Sequence, residues 1–426
     1  MPRQKRETNP AAALAEAASA NRNQLSALAA VGERFTAAGW RPAAEVLVPV
    51  RAVPTIFPQY DAITRVAGHP TDRITLVHGP SNNGKTEFAI GLMLSYLLRG
   101  HFASLVDAEQ TTPVTWLKQL MREWHAHPAF RALRPATNEY EEVVDMVERW
   151  ATTIGDAKAK GELPADTTGI LVVDSLRKLV PKRLLETMLK EGAGDDEAKG
   201  AGGRKKKPGG VDGMAGRAAQ YKAALNAAWM DRLVPLCAAC GVALVLIGRE
   251  YEDQEAGLFS TRDYKVGGGR SPYYDSSLVL RVVRDGWVKD GEGATAVVYG
   301  ERARVEVHKT KVGGKDERVP EAYFHTSNGS LVPVGFDIAR DLLEFAVDNG
   351  LVQQSGAYFY LGKRKLAQGK HATVKRLHDE PALLAALEEV VRAEVAEGVR
   401  RESDDVTAVP SASARPPGSA AASSDA

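Results

Sequence analysis

The stretch Gly79-Pro80-Ser81-Asn82-Asn83-Gly84-Lys85-Thr86 decides the fold. It fits G-x-x-x-x-G-K-[ST], the loop that wraps the phosphates of a nucleoside triphosphate. The flanks supply the context the motif needs. Ile74 to His78 reads as a short, mostly apolar buried strand. Glu87 to Leu98 reads as a helix with Phe88, Leu92 and Tyr96 on one side. Gly79 and Gly84 admit backbone conformations that a side chain would forbid. The amides between them, backed by the helix N-terminus, form a cradle for anionic oxygens, so Gly79, Pro80, Ser81, Asn82, Asn83 and Gly84 are candidate nucleotide contacts. Lys85 then reaches the β- and γ-phosphates, and the Thr86 hydroxyl holds a magnesium ion.

Downstream, Ala103 to Glu109 reads as a second buried strand that ends in acids. Open α/β sheets bind ligands at the carboxyl ends of their strands. Glu109 is therefore a candidate general base that polarises the attacking water, although a lone strand-end acid is ordinary. Gly169 to Ser175 forms a third strand, four apolar residues followed by Asp174, which is the Walker B pattern. Asp174 there orients Mg2+ through its water shell. Tyr221 to Leu236 reads as a helix and Val242 to Ile247 as a fourth buried strand. Strands alternating with helices predict an α/β fold with a mostly parallel twisted sheet.

The chain has 426 residues, 44% of them hydrophobic, enough for one large core and a smaller domain. Its formal net charge of +1 carries no global basic signature, so nucleic-acid binding must rest on local patches. No apolar run reaches the length of a bilayer span and the N-terminus lacks an apolar signal region, which predicts a soluble, cytoplasmic protein with no membrane partner. The only cysteines, Cys237 and Cys240, form C-x-x-C at a helix end. Two ligands are too few for structural zinc, and two packed residues one turn apart are the plainer reading.

The remaining segments organise around this core. Residues 1–35 read as an alanine-rich helix, either a packed lid or an arm that docks on a neighbour, within an N-terminal segment 1–43, and Ala44 to Val50 as a strand. Residues 190–213 lose apolar content and carry Arg204-Lys205-Lys206-Lys207, a solvated run that also suits a phosphate backbone. A second polar loop follows Arg249, contains Phe259 and ends in Gly267-Gly268-Gly269. Ser277 to Val283, Thr295 to Val298 and Arg304 to His308 read as antiparallel strands added at the sheet edge, with turns at Asp285-Gly286 and Asp290-Gly291. Lys309 and Lys311 place two cations on one side of an extended chain. From Gly335 the pattern turns helical, with Ile338, Leu342, Phe345 and Ala346 on one face. A short aromatic strand, Ala357 to Leu361, and a helix, Leu383 to Val399, complete residues 335–400. Residues 401–426 have the composition of a disordered tail.

In this order the pieces resemble the RecA family of DNA recombinases over roughly residues 45–398. The resemblance runs through GPSNNGKT, LVDAEQ, ILVVDSL, GGGRSPYYDSSLVLRV, RVEVHKTKVGGK and LVQQSGAYFYLGKRKLAQGKHA. It implies a RecA-like P-loop ATPase core at 44–334 with a small α+β C-terminal domain at 335–400. It also implies Mg2+-dependent ATP hydrolysis, helical self-assembly, and binding of single-stranded and double-stranded DNA. By resemblance, Glu109 activates water, Trp116 stacks on adenine, and Lys309 and Lys311 reach the neighbouring subunit's γ-phosphate. Tyr274 carries the ATP signal between subunits. Two mobile loops, roughly 183–216 and 250–269, line the filament axis. They and their flanks supply Arg204, Lys205, Lys206, Lys207, Arg217, Phe259, Arg262, Gly268, Gly269 and Arg270 as candidate DNA contacts. Arg249 stands where the family has a glutamine, and its charged planar fork suits a γ-phosphate sensor. The alternative is a RecA-like ATPase of another class, a helicase motor or a nucleotide-gated regulator. Such proteins share the first three motifs but lack the C-terminal pattern in this form.

Overall fold

The computed structural model describes residues 31–41, 50–186, 211–252, 264–267, 269–290, 296–313 and 319–407. Residues 1–50 and 51–426 are two separate compact units. In the first, residues 31–37 are helical. Of the expected strand Ala44–Val50 only Val50 is described, and it is not in a strand.

The second unit is built on a nine-stranded sheet. Its strands are β1 (Ile74–His78), β2 (Phe102–Asp107), β3 (Phe130–Leu133), β4 (Gly169–Asp174), β5 (Ala243–Ile247), β6 (Leu278–Asp290), β7 (Val297–Thr310), β8 (Glu321–Ser327) and β9 (Gly335–Phe336). The order is β9-β8-β7-β6-β1-β5-β4-β2-β3. Every pairing from β6 to β3 is parallel, and β7, β8 and β9 extend the sheet antiparallel. The parallel strands are apolar on both faces because both faces are covered. Along β1, Val77 packs on one side with Phe88, Leu92 and Met93 of helix α1 (Lys85–Leu98). Ile74 and Leu76 pack on the other with Val143 and Val147 of α2 (Tyr140–Ala159) and Trp229 and Leu233 of α3 (Val211–Cys240).

Residues beyond Gly335 gather a further cluster. Leu342 and Leu343 of α4 (Ile338–Asp348), Phe359 and Leu366 of a three-stranded antiparallel sheet, and Leu377 of α5 (Lys370–Asp379) surround α6 (Pro381–Thr407). On α6 the buried Leu383, Leu387, Val391 and Val395 recur every four residues, one helical face.

The structure corrects several boundaries. The three strands expected between Ser277 and His308 are two long ones, β6 and β7. Asp285-Gly286 is not a turn: the register shifts there and β6 continues. β6 is also not purely an antiparallel addition, since Leu278 to Arg281 pair parallel with β1. The helix expected at Tyr221–Leu236 spans Val211–Cys240, and residues 182–186 are helical too, so both ends of the loop expected at 183–216 are ordered. The loop expected at 250–269 opens as a ribbon, Glu250–Glu252 paired with Tyr264–Val266. Gly335–Phe336, expected to begin the small domain, closes the large sheet as β9. Of the tail expected at 401–426, residues 401–407 continue α6, and residues 408–426 lie outside the described residues. Cys237 and Cys240 are free and buried, and burial, with Cys240 adding to it, pushes the Cys237 thiol up to about 12. A thiol so protonated is a poor nucleophile, which favours the packed reading.

One buried ion pair ties α6 to the start of the second unit. Asp61 is fully buried and accepts the Thr55 amide at 2.8 Å and the Thr55 hydroxyl at 2.7 Å. Arg392 Nη1 donates to the same carboxylate at 2.5 Å and Nη2 to the Thr55 carbonyl. Burial pushes Asp61 up to about 6 despite the guanidinium. An acid raised in the folded state contributes stability at low pH that is lost as pH rises through that value. Removing Arg392 raises the group further, so the penalty must grow with pH. Arg392→Ala should cost about 3 kcal/mol in urea unfolding near pH 8 and less near pH 5, where Asp61 takes up a proton. A loss below about 0.5 kcal/mol near pH 8, the size of a surface pair, would show that Arg392 does not hold α6 in place.

Candidate nucleotide site

The turn after β1 follows from one close approach. Gly79 has φ +149°, and a Cβ built on it would lie 2.2 Å from the Val282 carbonyl oxygen of β6. Only glycine fits there. Asn82 and Gly84 then adopt left-handed conformations with φ 58° and 88°, and α1 starts at Lys85 with no side-chain cap. An uncapped helix N-terminus behind a loop of turned amides suits anionic oxygens. Asn83 pins the loop from both directions. Its Nδ2 donates to the Ser81 carbonyl at 2.7 Å, and its Oδ1 accepts the Arg284 amide of β6 at 2.8 Å.

Lys85 is buried and donates to the Pro80 carbonyl. Burial lowers its pKa, opposed by Asp174. Thr86 Oγ1 donates to Asp174 Oδ2 at 2.6 Å. Asp174 ends β4, and burial together with Glu109 and Asp107 raises its carboxyl to about 6 even though the Thr86 bond pulls it down. A hydroxyl and a carboxylate in contact beside a phosphate cradle fit a hard, oxygen-seeking cation that keeps some of its waters. Among the described residues no group of three or more His, Cys, Asp or Glu side chains could hold a metal by itself. Shared coordination with phosphate is the mode that suits this donor set.

Glu109 lies in the turn after β2. Its Oε1 accepts the Ser175 hydroxyl at 2.7 Å, and its Oε2 lies 3.7 Å from Arg249 Nη2. Lys85, Thr86, Glu109, Trp116, Asp174 and Arg249 line one open cavity of about 280 Å³ at the ends of the parallel strands. Trp116 is carried by the helix Val114–Met121 and is partly buried against the core. The residues that sequence reading grouped as a nucleotide site thus converge in space. The Arg249 guanidinium thus approaches the candidate base, while Asp253, another acid near it in sequence, lies outside the described residues.

Lys309 and Lys311 do not enter this cavity. They lie toward the end of the sheet where β1 and β6 begin, with Val279 facing Lys309. Lys309 Nζ donates to the carbonyls of Tyr273 at 2.9 Å, Tyr274 and Ser276 at 3.1 Å, and Lys311 Nζ to that of Tyr274 at 2.9 Å. Burial and the neighbouring Lys311 lower Lys309 to about 8. Tyr274 is 61% exposed. Gly269 and Arg270 are exposed just ahead of the short helix that carries Tyr274. Arg217 falls within α3, and Arg204, Lys205, Lys206, Lys207, Phe259, Arg262 and Gly268 lie outside the described residues.

Sequence reading missed Ser175, Thr112 and Arg284, which also line the cavity. Arg284 precedes Asp285-Gly286, and reading that pair as a turn hid the strand that delivers it. Its guanidinium pairs with Glu301 at 2.7 Å and lies 5.5 Å from the Trp287 ring.

A family model described as the RecA C-terminal domain matches residues 340–396. Proteins named RecA are similar over most of the chain. That of Aquifex pyrophilus is 27% identical over 380 residues, covering 89% of this chain and 93% of that one. That of Clavibacter michiganensis subsp. michiganensis is 24% identical over 411 residues, covering 96% and 98%. That of Syntrophus aciditrophicus is 23% identical over 352 residues, covering 83% and 87%. The resemblance to RecA is therefore borne out, and the architecture is a RecA-like α/β fold with a RecA-type C-terminal region. Among the described residues no helix is long and apolar enough to cross a membrane.

The position of Trp116 on the cavity wall gives a direct optical test. Saturating Mg-ATP should change the intrinsic emission, and Trp116→Phe should remove most of that change although the other tryptophans remain. A full response in Trp116→Phe would exclude this residue from contact with the base.

Proposed function

We propose that this chain is an ATP-dependent DNA recombinase. It assembles as a helical filament on single-stranded DNA, takes up double-stranded DNA, and catalyses homologous pairing and strand exchange with Mg2+-dependent ATP hydrolysis. The observation that supports it best is the union in one chain of the convergent nucleotide cavity with a C-terminal region that matches the RecA model. The similarity to proteins named RecA along most of the chain points the same way.

In this reading the N–H groups of Gly79 and of Ser81 to Gly84, with the Lys85 ammonium, receive the phosphates, and Trp116 lies against the base. Thr86 and Asp174 hold Mg2+, which supplies charge neutralisation at the transferring phosphate. Glu109 orients the attacking water, with Ser175 fixing its carboxylate from behind. Ser81, Asn82 and Asn83 give the loop its shape. Lys309 and Lys311 sit beside the exposed Tyr274 and away from their own chain's cavity, a placement suited to meeting the nucleotide of the next subunit. Hydrolysis then belongs to the assembled form. Arg249, between the Glu109 carboxylate and the second loop, senses the γ-phosphate. Arg204 to Lys207, Arg217, Phe259, Arg262, Gly268, Gly269 and Arg270 meet the DNA backbone without reading bases, since base pairing supplies the specificity.

Two substitutions test the parts separately. Lys85→Ala should cut DNA-stimulated phosphate release at least about a hundredfold, because the lysine charge acts on the transferring phosphate. Normal DNA-stimulated turnover in that variant would remove the cavity from the mechanism. Arg249→Ala should keep nucleotide affinity within about fourfold yet lose the extra DNA affinity that an ATP analogue confers over ADP, since the fork acts on the coupling of the two sites. If the variant keeps that difference in fluorescence anisotropy, the sensor lies elsewhere.

A further inference from the structure

Arg249 and Glu250 are consecutive at the root of the ribbon, so their side chains leave the chain on opposite sides. Arg249 lines the nucleotide cavity, where its guanidinium approaches Glu109 at 3.7 Å. Glu250 faces away and is held far more firmly. Arg281 Nε donates to its Oε1 at 2.8 Å and Nη2 to its Oε2 at 3.2 Å, while His78 Nδ1 lies 2.7 Å from Oε1. The Glu250 side chain is 6% exposed and that of His78 is fully buried. His78 is the last residue of β1 and directly precedes Gly79. Arg281 lies beside His78 in the parallel register of β6 with β1.

The other strand of the ribbon is held from the same side. The Tyr264 ring lies 4.7 Å from the Arg281 guanidinium carbon, and its hydroxyl is 3.1 Å from His308 Nδ1 on β7. His308 Nε2 is in turn 2.9 Å from Glu306. Burial pushes the Glu250 carboxyl up, but His78 and Arg281 outweigh it and leave it below the ordinary value; the bond to Glu250 raises Arg281 correspondingly. A buried bidentate pair fixes orientation more strictly than a surface ion pair does.

We propose that Glu250 is a positioning residue. Clamped by His78 and Arg281, it fixes the root of the ribbon against the strand that carries the phosphate loop. It thereby aims Arg249 at the nucleotide cavity and makes the DNA affinity of the second loop depend on the bound nucleotide. The clamp joins the last residue before the loop to the first residue of the ribbon. This inference rests on the recombinase reading given above.

The test uses the full chain and anisotropy of labelled oligo-dT with Mg2+ and either a slowly hydrolysed ATP analogue or ADP. The quantity read is the ratio of the two DNA affinities. Glu250→Ala and Arg281→Ala should each lower that ratio about tenfold, and the double variant should lower it no further, the signature of one shared interaction. Nucleotide affinity should change far less than that ratio, within about threefold, because neither side chain lines the cavity and Glu250 acts on Lys85 only at a distance. Glu250→Gln, which keeps the shape and an acceptor, should restore part of the ratio and replaces Glu250→Ala if the latter does not fold. Single variants that keep the full ratio, or a double variant whose losses add, would overturn the positioning role alone. A wild-type chain that binds oligo-dT equally with both nucleotides would overturn the recombinase reading and this inference with it.

Discussion

The contact between Gly79 and the Val282 carbonyl sets the geometry on which the rest depends. Two neighbouring parallel strands, β1 and β6, run side by side until the backbone of one leaves no room for a side chain on the other. Only glycine can begin the turn there. The turn feeds directly into α1, whose uncapped first turn and buried Lys85 face the cavity. Because β4 and β5 end at the same side of the sheet, Asp174 and Arg249 arrive beside that turn without any long side-chain reach. The Thr86–Asp174 bond and the Asn83 bond to Arg284 then lock the loop to strands on both sides of β1.

That geometry explains why the site was legible in the sequence and some of its frame was not. The phosphate loop, Glu109, Trp116, Asp174 and Arg249 lie at strand ends or in the turns and helix that follow them, where local pattern and position in the fold coincide. Their convergence in one cavity follows from parallel topology. The β6–β7 hairpin defeated local reading because Asp285-Gly286 has the composition of a turn yet occupies a register shift inside a long strand. Arg284 was lost with it. Similarly, Gly335–Phe336 pairs with β8 through a long-range contact that no local period announces. The long α3 was shortened in the reading because Gly213 and Gly216 weaken its N-terminal propensity.

Two groups of charges do different work around this frame. At the cavity, Glu109 and Arg249 are partly open, and in the proposed function they meet an anionic ligand with its metal. Behind it, His78, Glu250, Arg281, Glu306 and His308 form a continuous chain of polar contacts, mostly away from solvent. Buried charges of this kind are costly unless fully paired, and they restrict the arrangements open to the strands that carry them. On this account the cavity meets the nucleotide and the network behind it holds the ribbon. Lys309, Lys311 and Tyr274 form a third group at the far end of the sheet, and in the proposed assembly this gives a polarity in which the cavity of one subunit would face the lysines of the next.

That polarity is the central claim, and it has a visible consequence. A head-to-tail contact repeated along DNA makes an open helix. Negative-stain electron microscopy of the full chain with single-stranded DNA, Mg2+ and a slowly hydrolysed ATP analogue should show long helical filaments with a regular pitch, and few or none with ADP. Closed rings, or discrete particles that persist with DNA and the analogue, would contradict the account.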